Sequence, residues 1–195
     1  MHVVGQTRSF LFVLGSARRG GNTETLARQA AASLPGEVGQ RWLHLDDLPL
    51  PHFDDHRHRG DGTYAAPEGH ERTLLEATLA ASDIVIVSPL YWYNVSATTK
   101  LYLDFWTGWM RVPGLDFKAR MGGKTLWAVT TFSDGDPAMV EPMEGTLRWT
   151  AHYLSMCWGG GLVGDANRPG DVLQDSAALR RAGGFFAGST RHGAG

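Results

Sequence analysis

Apolar residues in this chain fall into short unbroken runs, separated by stretches in which they recur every three to four positions. The first run, residues 10–14, is Phe-Leu-Phe-Val-Leu and reads as a buried strand. Leu26, Ala30 and Leu34 then share one helical face and predict a helix over 22–33, ended by Pro35 and Gly36. A second strand is expected over 40–45. A second helix over 68–81 turns Leu74, Leu75, Thr78 and Leu79 inward. Asp-Ile-Val-Ile-Val at 83–87 has the unbroken β-branched run of a central parallel strand. A helix from 95 or 96 to 109, a strand over 125–130 and a helix over 140–154 follow. A strand over 157–163, with Cys157 buried, and a last helix over 172–182 complete the series. The lead-in 1–8 and the glycine-rich tail 184–195 are expected to be loose. No repeat or linker divides residues 1–195, which read as a single domain. Five strands alternating with helices predict an α/β fold with a doubly wound parallel sheet.

The polar segments between these elements carry the candidate chemistry. Gly15 to Gly21 joins the first strand to the start of the first helix. Helix N-termini present unpaired amides and partial positive charge, so such a junction suits an anion. Ser16, Arg18, Arg19, Asn22 and Thr23 add hydroxyl, guanidinium and amide groups that suit phosphate oxygens. A capped turn is the plainer alternative. The triphosphate pattern G-x-x-x-x-G-K-[ST] fails, because Gly21 and Asn22 stand where Lys and Ser/Thr are required. The dinucleotide pattern G-x-G-x-x-G fails at Ala17. After the third strand comes Pro89-Leu90-Tyr91-Trp92-Tyr93-Asn94, with three aromatics in succession. These could fill the gap below the next helix, or wall a flat ligand. Thr131, Ser133 and Gly135 follow the fourth strand.

Gly15, Ser16, Arg18, Gly21, Asn22 and Thr23 match the pattern G-S-x-R-x-x-[GS]-N-[ST]. In this the first loop resembles the flavin-phosphate loop of the flavodoxin-like NAD(P)H-dependent FMN reductase family. The stretch from Ser88 to Ser96, with Lys100 and Asp104, resembles the same family's flavin-ring loop and following helix. The resemblance covers about the first 170 residues and implies a flavodoxin-like three-layer sandwich with a five-stranded parallel sheet in the order 2-1-3-4-5. In that order the three loops meet at one sheet edge. It further implies that Ser16, Arg18, Gly21, Asn22 and Thr23 hold the FMN phosphate. Pro89, Leu90, Tyr91 and Trp92 would line the ring, Asn94 would close that loop, and Thr131, Ser133 and Gly135 would form a third flavin loop. FAD would enter only if the phosphate loop leaves room for a second phosphate and adenosine. The family often has Arg after Asp104, where this chain has Phe105, so a role for that arginine at a subunit contact is not carried over. Trp106, Trp109 and Met110 are most simply core residues; the resemblance also implies a homodimer, for which they are candidate interface residues.

Composition narrows the functions. The net charge of −2 and the lack of a long basic run give no footprint for nucleic acid or an anionic membrane. A single cysteine excludes an intrachain disulfide and a cysteine-ligated cluster. The apolar start of about six residues is shorter than a signal-peptide core, so a cytoplasmic protein is expected. His52, Asp54, Asp55, His56 and His58 cluster in a loop over 46–67. They lack a catalytic metal spacing, and no metal is expected. There is no Gly-x-Ser-x-Gly elbow, and no acid or base is singled out as catalytic. The activity that the resemblance implies is FMN-dependent oxidation of NADPH or NADH, with electrons passed to a small acceptor such as a quinone, nitroaromatic, azo compound or free flavin. The alternative is a flavodoxin-like electron carrier or FMN-binding module that does not turn over NAD(P)H. A binder of some other phosphate ligand is a third possibility.

Overall fold

The apolar runs become strands because each is flanked by helices that cover both of its faces. A computed structural model describes residues 8–133 and 135–188. Its strands are β1 (Ser9–Leu14), β2 (Gly39–His44), β3 (Asp83–Val87), β4 (Thr125–Phe132) and β5 (Cys157–Asp165). All pair in parallel, in the order β2-β1-β3-β4-β5. The helices are α1 (Asn22–Ala31), α2 (Gly69–Ala80), α3 (Ala97–Trp109), α4 (Phe117–Met121), α5 (Glu141–Tyr153) and α6 (Ser176–Ala182).

Alternation along the strands divides the core in two. Leu11, Val13, Ile84, Ile86, Leu126 and Ala128 face α2, α3 and α5, meeting Leu74, Tyr102, Trp106, Met143 and Leu147. Phe10, Phe12, Val85, Val87, Trp127 and Val129 face α1 and α6, meeting Leu26, Ala27, Ala30 and Ala178. This is the three-layer flavodoxin-like sandwich, with the order 2-1-3-4-5.

Several elements differ from what the sequence pattern predicts. β4 continues through Thr131 and Phe132, because both residues still pair with β5. The last helix is broken: a 3-10 turn at Asp171–Gln174 precedes α6, and Asp175 caps α6 by accepting from the Ala178 N–H at 2.9 Å. α4 has no counterpart in the predicted series; it is a short segment anchored by buried Phe117 and Met121. Cys157 is exposed, not buried, because it opens the edge strand. Trp106 and Trp109 are 3% and 1% exposed and belong to the core, not to an outer face. They lie four and seven positions after Tyr102, on the same inward stripe of α3.

The expected loose ends, 1–8 and 184–195, fall mostly outside the described residues. At the described margins the chain is held. Arg8 donates to both oxygens of buried Asp83, at 2.7 and 3.2 Å, and to the Phe186 carbonyl at 3.0 Å. Trp127 Nε1 donates to the same carboxylate at 3.0 Å. The Phe186 ring is fully buried against Phe10, Phe12 and Trp127. The 46–67 loop lies over α3: Phe53 and Tyr64 stack, and the Tyr64 ring approaches Gly108 so closely that a Cβ there would meet it at 3.0 Å. In that loop Asp55 pairs with Arg57 and Asp54 with Arg59.

Candidate functional site

The carboxyl ends of β1, β3, β4 and β5 converge on one cleft of about 260 Å³. Ser16, Arg18, Gly21, Asn22 and Thr23 line it from the first loop, and Pro89, Leu90 and Tyr91 from the third strand's loop. Thr131, Phe132 and Ser133 line it from the end of β4, and Ala166, Asn167 and Pro169 from the loop after β5.

The first loop is held by its neighbours on both sides. The Gly15 N–H donates to the Val87 carbonyl at 2.9 Å, and the Gly15 carbonyl accepts from Ser96 Oγ at 2.6 Å and Thr98 Oγ1 at 3.2 Å. Thr99 packs so tightly here that a Cβ on Gly15 would lie 1.8 Å from its hydroxyl, so only glycine fits. Ser96 also caps α3 and donates its own N–H to Ser88 Oγ at 2.8 Å. At the far end, Glu24 accepts the Gly20 N–H at 2.8 Å. Burial alone would raise the Glu24 pKa. The Gly20 amide, the Arg28 guanidinium and His44 outweigh it and hold the carboxyl below its usual range.

Gly21 precedes α1 in the capping position and supplies no side-chain cap, so the first-turn amides stand open toward the cleft. Arg18 lines the same end and makes no ion pair among the described residues. Arg19 does not serve there, because its guanidinium pairs with Asp47. Ser16 Oγ accepts the Arg18 N–H at 3.1 Å and so orders the loop. Two hydroxyl and amide groups expected at the phosphate are engaged elsewhere. Thr23 Oγ1 bonds to Thr131 Oγ1 at 2.8 Å, buried between α1 and β4. The Asn22 amide donates to the Arg168 carbonyl at 2.8 Å and accepts the Gly170 N–H at 2.9 Å. Uncapped amides beside an arginine with no ion pair among the described residues suit a terminal phosphate, so the residues present fit a flavin mononucleotide.

The aromatic loop is a two-residue hairpin. Tyr91 and Asn94 exchange both backbone hydrogen bonds, at 2.9 and 3.0 Å, and Trp92 and Tyr93 occupy its tip with φ of 50° and 64°. Such turns favour glycine and asparagine, so two large aromatics there are strained. Trp92 is 92% exposed and stands outside the cleft lining, whereas Leu90 and Tyr91 belong to it. Asn94 sits at the hairpin base, accepting the Val95 N–H at 2.8 Å and donating to Thr146 Oγ1 of α5 at 3.3 Å. Gly135, with φ of 86°, lies beyond the cleft lining. Phe132 and the loop after β5 are lining residues that the sequence motifs did not single out. Their position after strands at the same sheet edge was the available signal.

A doubly wound sheet with a phosphate-type cleft at its switch point defines a mononucleotide-binding protein of the flavodoxin class. Within that class, residues 9–156 match the model of the NADPH-dependent FMN reductase family, and the chain belongs to that family. It is therefore an NAD(P)H-dependent flavin oxidoreductase with FMN as cofactor. It is 30% identical over 169 residues to the Bacillus subtilis (strain 168) protein YwqN, which carries the name of an NAD(P)H-dependent FMN-containing oxidoreductase; the match spans 86% of this chain and 91% of YwqN. The solved structure of a Trp repressor binding protein from Bacillus subtilis superposes with a TM-score of 0.72 at 26% identity, covering 92% of this chain and 98% of the other. An FMN-dependent NADH-azoreductase from Bacillus anthracis, solved with FMN, has a TM-score of 0.63 at 14% identity, covering 91% and 96%, and supports the fold.

Proposed function

We propose that the cleft holds FMN with its phosphate at the start of α1, and that electrons taken from NADPH or NADH leave to a small flat acceptor such as a quinone, nitroaromatic, azo compound or free flavin. The observation that carries this is the uncapped α1 N-terminus, with Arg18 beside it making no ion pair among the described residues. Bound FMN supplies the redox chemistry by accepting hydride and releasing electrons. The chain's own residues bind and orient. Arg18 and the first-turn amides neutralise the phosphate. Ser16 and Gly21 shape the loop around it. Pro89, Leu90 and Tyr91 give an apolar wall, and Thr131 and Ser133 give polar groups opposite. No side chain is assigned as acid or base.

Among the described residues no helix is long and apolar enough to cross a membrane. We place the protein in the cytoplasm, as a homodimer without nucleic-acid or membrane partners. The test is anaerobic stopped-flow mixing of the flavin-loaded protein with each nucleotide. NADPH or NADH should bleach the yellow colour directly, and a quinone should restore it. If neither nucleotide bleaches the flavin over minutes while dithionite does, the protein is an electron carrier and the enzymatic reading is wrong.

A further inference from the structure

Asn22 stands first in α1, where a phosphate ligand would be expected, yet both ends of its side-chain amide are engaged across the fold. Nδ2 donates to the Arg168 carbonyl at 2.8 Å, and Oδ1 accepts the Gly170 N–H at 2.9 Å. These bonds join residues 146 and 148 positions apart. They fasten the loop after β5 directly onto the helix end that faces the phosphate. The loop is also shaped from within. Asp171 Oδ2 accepts the N–H groups of Asn167 and Arg168 at 3.2 and 2.6 Å, and Gly170 turns the chain with φ of 88°. Its start is tied to β4, where the Ala166 N–H donates to the Phe132 carbonyl at 2.8 Å. Ala166, Asn167 and Pro169 then form a wall of the cleft beside Arg18 and Gly21.

A ligand ending in one phosphate needs only the α1 amides and Arg18. A dinucleotide flavin must continue past that phosphate, and the loop fastened to the first residue of α1 walls the cleft at that end. We infer that Asn22 is a positioning residue. Its amide holds the 166–170 loop across the phosphate end of the cleft, and this restricts the flavin to a terminal monophosphate. Asn22 thus sets selection of FMN over FAD through the loop, not by grasping phosphate with its side chain. The inference rests on the FMN reading of the cleft.

The experiment is titration of flavin-free protein with FMN, FAD and riboflavin, followed by quenching of flavin fluorescence, for wild type, Asn22→Ala and Asp171→Ala. Asp171 lies outside the cleft lining and acts only on the loop's own shape. Wild type should prefer FMN to both FAD and riboflavin. Each variant should cut the FMN-over-FAD preference by about tenfold, the scale of one or two lost hydrogen bonds, and Asp171→Ala should leave riboflavin affinity unchanged. An Asn22→Ala protein that does not fold leaves Asp171→Ala to decide. If the folded variants keep the wild-type ratio of FMN to FAD affinity, whether both affinities change or neither does, the loop does not select and the inference is overturned. It is overturned too if wild type favours FMN over riboflavin but takes FAD equally well, and the phosphate-site reading then survives. Wild type that binds FMN and riboflavin equally overturns the phosphate site itself.

Discussion

Arg18 and Arg19 are neighbours in one loop with different surroundings. Arg19 is held by Asp47 at the surface, while Arg18 lines the cleft without a carboxylate partner among the described residues. Arg18→Ala is therefore expected to weaken FMN by about ten- to a hundredfold, the scale of a charged hydrogen bond, and to leave riboflavin unchanged. Arg19→Ala should alter FMN affinity by no more than about threefold, since exposed ion pairs contribute little. Fluorescence titration of the two variants separates the roles. Glu24 gives a pH signature in the same loop. Burial pushes its pKa up, but the Gly20 amide, Arg28 and His44 together bring it below the usual 4.5. Ionised Glu24 hence favours the folded state above about pH 4.5, and that contribution is lost as pH falls through the lowered value. Glu24→Gln should unfold at a lower temperature at neutral pH and show a shallower fall in Tm from pH 5 to 3. An unchanged slope would mean that other carboxylates govern acid unfolding.

The hairpin between β3 and α3 concentrates strain where the cleft needs a rim. Trp92 and Tyr93 both hold positive φ without a glycine, and Trp92 gains almost no burial in return. At concentrations where the chain is monomeric, Trp92→Gly is expected to raise stability by about 1 kcal/mol, which is about 2–4 °C in Tm for a chain of this size. A lower Tm would show that the indole makes a stabilising contact. At β5 glycine is used for close approach: a Cβ on Gly159 would lie 2.3 Å from the Trp127 indole, a ring fixed by its bond to Asp83. Elements with strong local patterns were legible in the sequence. β3 has the expected bounds, and α1 starts at Asn22 as expected. The stripe Tyr102, Trp106, Trp109 also carried its inward orientation in its spacing, and core packing, the simplest reading of the two tryptophans, is what their burial shows. The engagement of Asn22 and Thr23 was not legible. Their partners, Arg168, Gly170 and Thr131, lie more than a hundred positions away, and local sequence carries no record of such pairing.

For the whole molecule, the burial of Trp106 and Trp109 changes where a second copy could dock. The proposed homodimer must use other surface, and exposed aromatics are found on the hairpin and on α5, at Trp92, Trp149 and Tyr153. Asn94 bonds to Thr146, so the hairpin and α5 are adjacent. A dimer through this face should bury at least about 1,000 Å². Light scattering should then show a dimer for wild type and a monomer for Trp149→Asp; a wild-type monomer would remove the dimer. At the opposite end of the sheet, the chain's margins meet at a single buried carboxylate. Asp83 receives Arg8 from before β1 and Trp127 from β4, and Arg8 in turn holds the carbonyl of Phe186. Phe186 covers Phe10, Phe12 and Trp127, which without it would face water at the end of the α1–α6 layer. The segment after Gly183 is thus part of the core as far as Phe186, despite its glycine-rich composition. The reference is a chain ending at Gly188, which keeps Phe186. A chain ending at Gly183 should lose about 3–5 kcal/mol, the cost of removing a buried phenylalanine and opening its site. Urea unfolding of the two truncations decides it: equal midpoints would mean that the aromatic layer closes without Phe186. The flavin cleft lies at the other end of the strands, so flavin bound by the folded fraction of either truncation should keep the wild-type preference for FMN.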